Sequence, residues 1–130
     1  MQTTPRLRLV LFSFGFKYGP PVDINLLLDV RFLPNPYWVE ELRPKTGLLP
    51  EVGAYVLESE AGARFLELLL PALRCALEES LATGKRNVRF AIGCTGGRHR
   101  SVALVERLAG LLVMPGVEIT AFHRDIERDG

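Results

Sequence analysis

One segment of this chain, residues 87–101, joins a short apolar run directly to a helical pattern through a loop rich in glycine. Residues 87–93 predict a buried strand, and residues 98–113 repeat apolar side chains at the spacing of one helix face. The side chains expected to face inward from this helix are Val102, Leu104, Val105, Leu108, Leu111 and Leu112. A strand that passes straight into a helix is the building unit of α/β proteins, so the rest of the chain must supply neighbouring strands.

Three further apolar runs predict strands at residues 7–16, 26–32 and 117–123. The second run is followed by Pro34 and Pro36, which lack the backbone donors that a sheet needs. We predict an α/β fold: a single domain with a small, mainly parallel sheet of about four strands flanked by helices. Its core is expected over about residues 6–123, with a polar tail at residues 124–130.

A long helical region separates the second and third predicted strands. Helical periodicity begins near Glu51 and ends near Thr83, with a break expected at Gly62 and a kink at Pro71. Residues 33–50 read as a connection with one helical turn at residues 37–42. Connections of this length are uncommon in small domains and often carry function.

Composition excludes several classes of function. The chain has 130 residues, the size of one domain, and its net charge is +1, which argues against nucleic-acid binding by the whole surface. Cys75 and Cys94 lack the spacing of zinc ligands, so neither a metal site nor a cofactor is expected. No leader pattern and no apolar run near about 20 residues is present, which favours a cytoplasmic protein without a membrane partner.

The loop after the third strand predicts an anion site. Its glycines allow the backbone N–H groups and the positive end of the following helix dipole to point at one spot. Three basic side chains at the expected helix start repel one another unless an anion offsets their charge. The alternative is a tight turn with solvated charges. The candidate phosphate-binding residues of this loop are Cys94, Thr95, Gly96, Gly97, Arg98, His99, Arg100 and Ser101.

Cys94, Arg100 and Ser101 also fit the pattern C-x5-R-S, the signature loop of cysteine-dependent phosphatases. In that alternative a thiolate attacks phosphorus, Arg100 holds the phosphoryl oxygens and Ser101 assists the sulfur. The leaving group would need an acid, for which Asp29, Asp125 and Asp129 are the candidates. The simpler interpretation of Cys94 is a small residue at a crowded strand end, so a binding role is favoured over an enzymatic one.

Three blocks of the sequence give a family resemblance. Residues 13–19, 29–38 and 93–102, together with Glu41-Leu42-Arg43-Pro44 and Thr46-Gly47, resemble the C-terminal domain of the RapZ family. These bacterial RNase adapter proteins are also described as nucleotide-binding proteins. In the family this domain follows a P-loop domain, whose motif is absent from this sequence, so nucleotide hydrolysis is not expected.

The resemblance implies sensing of an amino-sugar phosphate, glucosamine-6-phosphate, and a regulatory role with a homo-oligomer expected. This role carries over onto Cys94, Thr95, Gly96, Gly97, His99, Arg100 and Ser101. The family's RNA-binding role, with an RNase as partner, relies on a basic C-terminal end. Residues 123–130 here are mixed in sign, so an RNA or RNase partner is a second alternative beside the phosphatase.

Lys17 and Arg31 extend the candidate site because Lys17 stands just past the first predicted strand and Arg31 lies at the end of the second, where ligands of parallel sheets collect. If the strands are parallel and adjacent, both cations converge on the glycine-rich loop; the alternative is a pair of solvated strand ends. Asp29, Asn35 and His123 are further candidates. A lone histidine is more often structural, and Trp38 could either contact a sugar or anchor its loop.

Overall fold

A sheet of four parallel strands organises residues 5–128, the part of the chain that the computed structural model describes. The strands are β1 (Leu7–Gly15), β2 (Leu26–Asp29), β3 (Asn87–Cys94) and β4 (Val117–His123). Their order across the sheet is β2-β3-β1-β4, and every neighbouring pair is parallel. This confirms the predicted α/β fold with a parallel sheet. Asp129, one of the candidate acids, lies outside the described residues.

The central strand β1 separates two apolar clusters because its side chains alternate between the faces of the sheet. Leu7, Leu9 and Leu11 are fully buried beneath the helices α1 (Pro50–Leu57), α2 (Glu60–Ala82) and α3 (Arg100–Leu111). Phe12 and Phe14 point to the other face, where the smaller cluster is closed by the loop between β1 and β2. The domain therefore has one main core, between the sheet and its three helices.

Two strands end earlier than predicted. β1 stops at Gly15, and a 3-10 turn follows at Phe16–Tyr18. β2 stops at Asp29, not at residue 32, because the backbone N–H of Val30 makes the last bond to Gly93 (2.9 Å) and the chain then turns. The Asp29 side chain accepts the N–H of Arg31 (3.0 Å) and stabilises this turn.

The long helical region divides at Glu58 and Ser59, not at Gly62. The Ser59 hydroxyl accepts the N–H of Gly62 (3.0 Å), so Gly62 lies in the first turn of α2. Helix α2 continues past Pro71 and ends before Gly84, whose φ is 79°. Among residues 5–128 no helix combines the length and the apolar character that crossing a bilayer requires.

The connection between β2 and α1 is built from turns. Its helical turn is a 3-10 helix at Pro36–Trp38, earlier than the predicted residues 37–42, because the Asn35 side chain accepts the N–H of Tyr37 (3.1 Å). Further along, the N–H of Gly47 donates to the carbonyl of Arg98 (2.8 Å). This bond ties the connection to the loop after β3.

Residues 124–128 pack against the sheet, which differs from the polar tail expected there. The Asp125 carboxylate is fully buried and accepts the N–H of Gly15 (2.7 Å). Arg124 and Arg128 both pair with this carboxylate at 2.9 Å. The charged residues here were expected to form a polar tail. Asp125 can be buried instead because two arginines compensate the charge of its carboxylate.

Candidate functional site

The candidate site lies where β3 passes into α3. Because β3 has β1 on one side and β2 on the other, the segments after all three strands meet at one edge of the sheet. The backbone N–H of Lys17 donates to the carbonyl of Thr95 (3.1 Å), which joins the segment after β1 to the loop. The three strands are parallel and adjacent, which is the condition under which Lys17 and Arg31 were expected to converge on the loop.

The loop backbone packs directly against the end of β1. Gly97 has φ of 75°, and a side chain there would meet the Gly15 nitrogen at 2.6 Å. A side chain at Gly15 would in turn meet the carbonyl carbon of Gly96 at 2.5 Å. Only glycine permits this backbone conformation at so close an approach, so these residues fix the shape of the loop.

The backbone amides of the loop find no acceptor among the described residues. Within residues 5–128, none of the backbone N–H groups from residues 95 to 100 donates to another protein group. The loop is held through its carbonyls instead, because those of Thr95, Arg98 and His99 accept from Lys17, Gly47 and Ala103. A row of free amides at a helix N-terminus is a site for an anion.

Arg100 is the buried cation of this site, with only 5% of its surface exposed. Its Nη1 donates to the carbonyls of Arg31 (2.6 Å) and Leu33 (3.3 Å), and its Nη2 contacts the Thr95 hydroxyl (3.3 Å). Its Nε has no partner in the described part of the chain. Burial lowers the pKa of Arg100, but a guanidinium remains charged in proteins. A charged group with a free buried donor favours an acceptor from a ligand.

Helix α3 begins at Arg100, two residues later than predicted. His99 is the N-cap with φ of −115° and ψ of −81°, and Arg98 precedes it in the loop. The expectation of three cations in the first turn was therefore wrong. Burial lowers the pKa of His99, and its Nε2 donates to the carbonyl of Arg43 (3.1 Å). The helix start thus carries one buried charge, on Arg100.

The loop opens into a cavity of about 900 Å³. The lining residues come from the glycine-rich loop, from the start of the segment after β1 and from the connection after β2. They are Lys17, Asn35, Tyr37, Trp38, Glu40, Arg43, Pro44, Cys94, Thr95, Gly96, Arg98, His99 and Arg100. The structure therefore brings Lys17 and Asn35 together with most of the predicted loop residues. Sequence reasoning did not identify four of the lining residues, Tyr37, Glu40, Arg43 and Pro44. The unusual length of the connection was the signal that could have drawn attention to them.

Arg31 and Asp29 lie beside the cavity as a supporting pair. Arg31 binds the Asp29 carboxylate at 2.7 Å, and its guanidinium stacks on the Phe16 ring at 3.9 Å. The hydrogen bond from Arg31 lowers the pKa of Asp29. Because the carbonyl of Arg31 accepts from Arg100, the pair acts on the site through the position of that side chain.

His123 lies apart from the cavity. Its Nδ1 is 2.7 Å from the Ser13 hydroxyl, and its Nε2 is 2.8 Å from the Glu106 carboxylate. This environment matches the structural alternative for a lone histidine. Across the described residues, no group of three or more His, Cys, Asp or Glu side chains is arranged to hold a metal ion.

Cys94 and Ser101 meet at the base of the loop. Cys94 is 2% exposed, and its Sγ is 3.0 Å from the buried hydroxyl of Ser101. The two residues stand on either side of the loop, one at the end of β3 and the other in the first turn of α3. Their contact therefore fixes the distance between the ends of the loop.

Comparisons with known proteins place the chain in a family. The family described as the RapZ C-terminal domain matches residues 7–127. A "Nucleotide-binding protein" of Streptomyces avermitilis is 52% identical over 125 residues, which are 96% of this chain and 42% of the relative. A protein of the same description from Mycobacterium tuberculosis is 51% identical over 118 residues, which are 90% of this chain and 39% of the relative. This chain spans about two fifths of the length of these curated relatives. It belongs to the RapZ C-terminal domain family.

Proposed function

We propose that this domain binds a small phosphorylated metabolite, an amino-sugar phosphate of the glucosamine-6-phosphate type, and acts as its sensor. The observation that carries the proposal is the buried Nε of Arg100, which has no protein partner within residues 5–128 and lies beside six free backbone amides. A phosphoryl group offers several strong acceptor oxygens to such donors. Lys17 and Arg98 line the same cavity and add positive charge.

The outer part of the cavity suits the sugar ring. Tyr37 and Trp38 meet edge to face with ring centroids 5.3 Å apart, and Trp38 is 74% exposed. Aromatic rings offer broad apolar surface together with a polar edge, which fits the mixed character of a sugar. Asn35, which is close to these two aromatic residues in the sequence, also lines the cavity.

Glu40 is the one carboxylate among the described residues that line the cavity. The other ionisable groups that line the cavity around it include five basic side chains, which are Lys17, Arg43, Arg98, His99 and Arg100. A lone acid in this setting opposes an anion, but it offers a counter-charge to an ammonium group. This supports an amino sugar over a neutral sugar as the ligand.

Titration calorimetry with glucosamine-6-phosphate tests the proposal on the wild-type chain and on Arg100→Lys. Lysine keeps the charge but loses the planar edge formed by Nε and Nη2. We expect the variant to bind roughly tenfold to a hundredfold more weakly, since hydrogen bonds to charged groups contribute about 1.5–3 kcal/mol.

Arg64→Lys is the matched control, because Arg64 is an exposed arginine of α2, and its affinity should equal that of the wild type. Circular dichroism establishes that each variant is folded. Equal affinity of folded Arg100→Lys and wild type would contradict the proposed site. A nucleotide in a parallel titration tests the alternative ligand that the relatives' description suggests.

A further inference from the structure

We infer that Cys94 is a nucleophile and that this cavity hydrolyses aryl phosphate monoesters through a phosphocysteine intermediate. The inference rests on the proposed phosphate site and adds a chemical reaction to it. Three observations within residues 5–128 carry it: the contact between Cys94 and Ser101, the buried unpaired Nε of Arg100, and the amides without an acceptor in the loop between them.

Cys94 stands at the start of the proposed phosphate loop. Cys94 ends β3, lines the cavity and begins the loop whose amides have no protein acceptor among residues 5–128. The Ser101 hydroxyl, 3.0 Å from Sγ, can donate a hydrogen bond to a thiolate. Such a bond stabilises the charged sulfur both before attack and when it leaves phosphorus.

Arg100 is oriented to hold the phosphoryl group beside that sulfur. Two carbonyls anchor its Nη1, so the plane of the guanidinium is fixed. Nε makes no hydrogen bond within the described chain, and Nη2 makes a long contact of 3.3 Å to the Thr95 hydroxyl. These two nitrogens form one edge of the guanidinium, which matches two phosphoryl oxygens in a bidentate pair.

The reaction balances in two steps. After the thiol proton has passed to solvent, the thiolate attacks phosphorus, the S–P bond forms, and the P–O bond to the aryl group breaks. The electron pair leaves with the phenolate. Water then attacks the phosphocysteine, its protons remain with the departing phosphate, and the S–P bond breaks to return the thiolate to Ser101. The products of a dianionic ester are one phenolate and one dihydrogen phosphate ion.

The substrate class follows from the environment of Asp29. This acid lies beside the cavity, but Arg31 binds its carboxylate and lowers its pKa, so it is poorly suited to donate a proton. Asp125 is fully buried behind the loop, between two arginines. Glu40 lines the cavity but is proposed to pair with the ligand's ammonium group. We therefore assign the reaction to esters whose leaving group needs no proton, such as nitrophenyl phosphate, while a sugar phosphate is bound and retained.

Steady-state hydrolysis of nitrophenyl phosphate tests the inference on the wild type, Cys94→Ser and Cys75→Ser. Cys75 is exposed on α2, so its variant serves as the matched control and should retain the wild-type rate. We expect Cys94→Ser to lose at least about a hundredfold in turnover. Turnover that survives in Cys94→Ser would overturn the inference.

Ser101→Ala separates a chemical role from a structural one. Acid-quenched mass spectrometry should show at least as much phosphoryl group on Cys94 as in the wild type, while steady-state turnover falls about tenfold because the leaving thiolate has lost its donor. Equal losses in both quantities would contradict this role.

Calorimetry of inorganic phosphate with the wild type distinguishes the two proposals. Binding without hydrolysis overturns only the nucleophile, whereas absence of binding overturns the site as well.

Discussion

At the scale of single residues, Arg100 links the candidate site to the stability of the domain. A nearly buried guanidinium destabilises a fold unless its donors find acceptors. Carbonyls of Arg31 and Leu33 satisfy Nη1, whereas the buried Nε has no hydrogen-bond partner within residues 5–128. A phosphorylated ligand that completes these bonds must also stabilise the folded state in proportion to its concentration.

Glu40 gives the clearest residue-scale prediction about ligand selectivity. Replacing Glu40 with Gln removes the carboxylate proposed to pair with the ammonium group, while the phosphate end of the cavity is unchanged. Glu40 is exposed, so an ion pair there contributes at most about 1 kcal/mol. Affinity for glucosamine-6-phosphate should fall up to about fivefold, measured by calorimetry.

Glucose-6-phosphate is the control ligand for this variant, because it lacks the amine and should bind Glu40→Gln at least as well as the wild type. Glu41→Gln is the control substitution, since Glu41 is an exposed neighbour that does not line the cavity. A parallel loss for both sugars would show that Glu40 does not recognise the amine.

At the scale of elements, the loop between β3 and α3 depends on how closely it packs against β1. Gly97→Ala introduces a side chain at φ of 75°, where it would meet the Gly15 nitrogen. A left-handed conformation alone costs an alanine about 1–2 kcal/mol. We expect the free energy of unfolding in urea to fall by at least that amount and phosphate affinity to weaken with it.

Gly110→Ala provides the matched substitution within the neighbouring helix. Gly110 lies in α3 with open space around its Cα, so alanine should stabilise the domain by up to about 1 kcal/mol. If Gly97→Ala behaves like Gly110→Ala, the close packing of loop and strand does not control the site.

Sequence patterns predicted the elements better than their ends. Burial alone sets two of these patterns, the alternation of Leu9, Val10 and Leu11 and the helical spacing in α3. Such periodicity can be recognised in the sequence. β2 ended early because its last hydrogen bond goes to Gly93, a partner 63 residues away from Val30 that no local pattern reveals.

The glycine-rich loop was predictable as an anion site from its amides and cations. Tyr37 and Glu40 were not, because only the folded connection places them against that loop.

At the scale of the whole molecule, the last described segment supports the site from behind. The Asp125 carboxylate accepts the N–H of Gly15. The Gly15 backbone in turn packs closely against the backbone of Gly96 and Gly97. The chain after β4 therefore contributes to the position of a loop that begins about thirty residues earlier in the sequence. This arrangement makes the geometry of the site depend on the C-terminal part of the domain.

Asp125→Asn tests that dependence. Asparagine can still accept from Gly15, but it leaves Arg124 and Arg128 without their counter-charge. We expect the free energy of unfolding to fall by about 1–3 kcal/mol in urea denaturation. Glu127→Gln is the control, because Glu127 is exposed, and should change stability by less than about 0.5 kcal/mol. Equal stability of both variants would show that residues 124–128 do not support the fold.

The central claim is that the amides of residues 95–100 bind a phosphoryl group, and amide NMR tests it most directly. Titration of the isotopically labelled chain with inorganic phosphate should shift the backbone N–H resonances of residues 95–100 together, with one dissociation constant. Arg100→Lys should show the same shifts only at higher phosphate concentration. Unchanged resonances in this loop, or larger shifts elsewhere in the chain, would contradict the account.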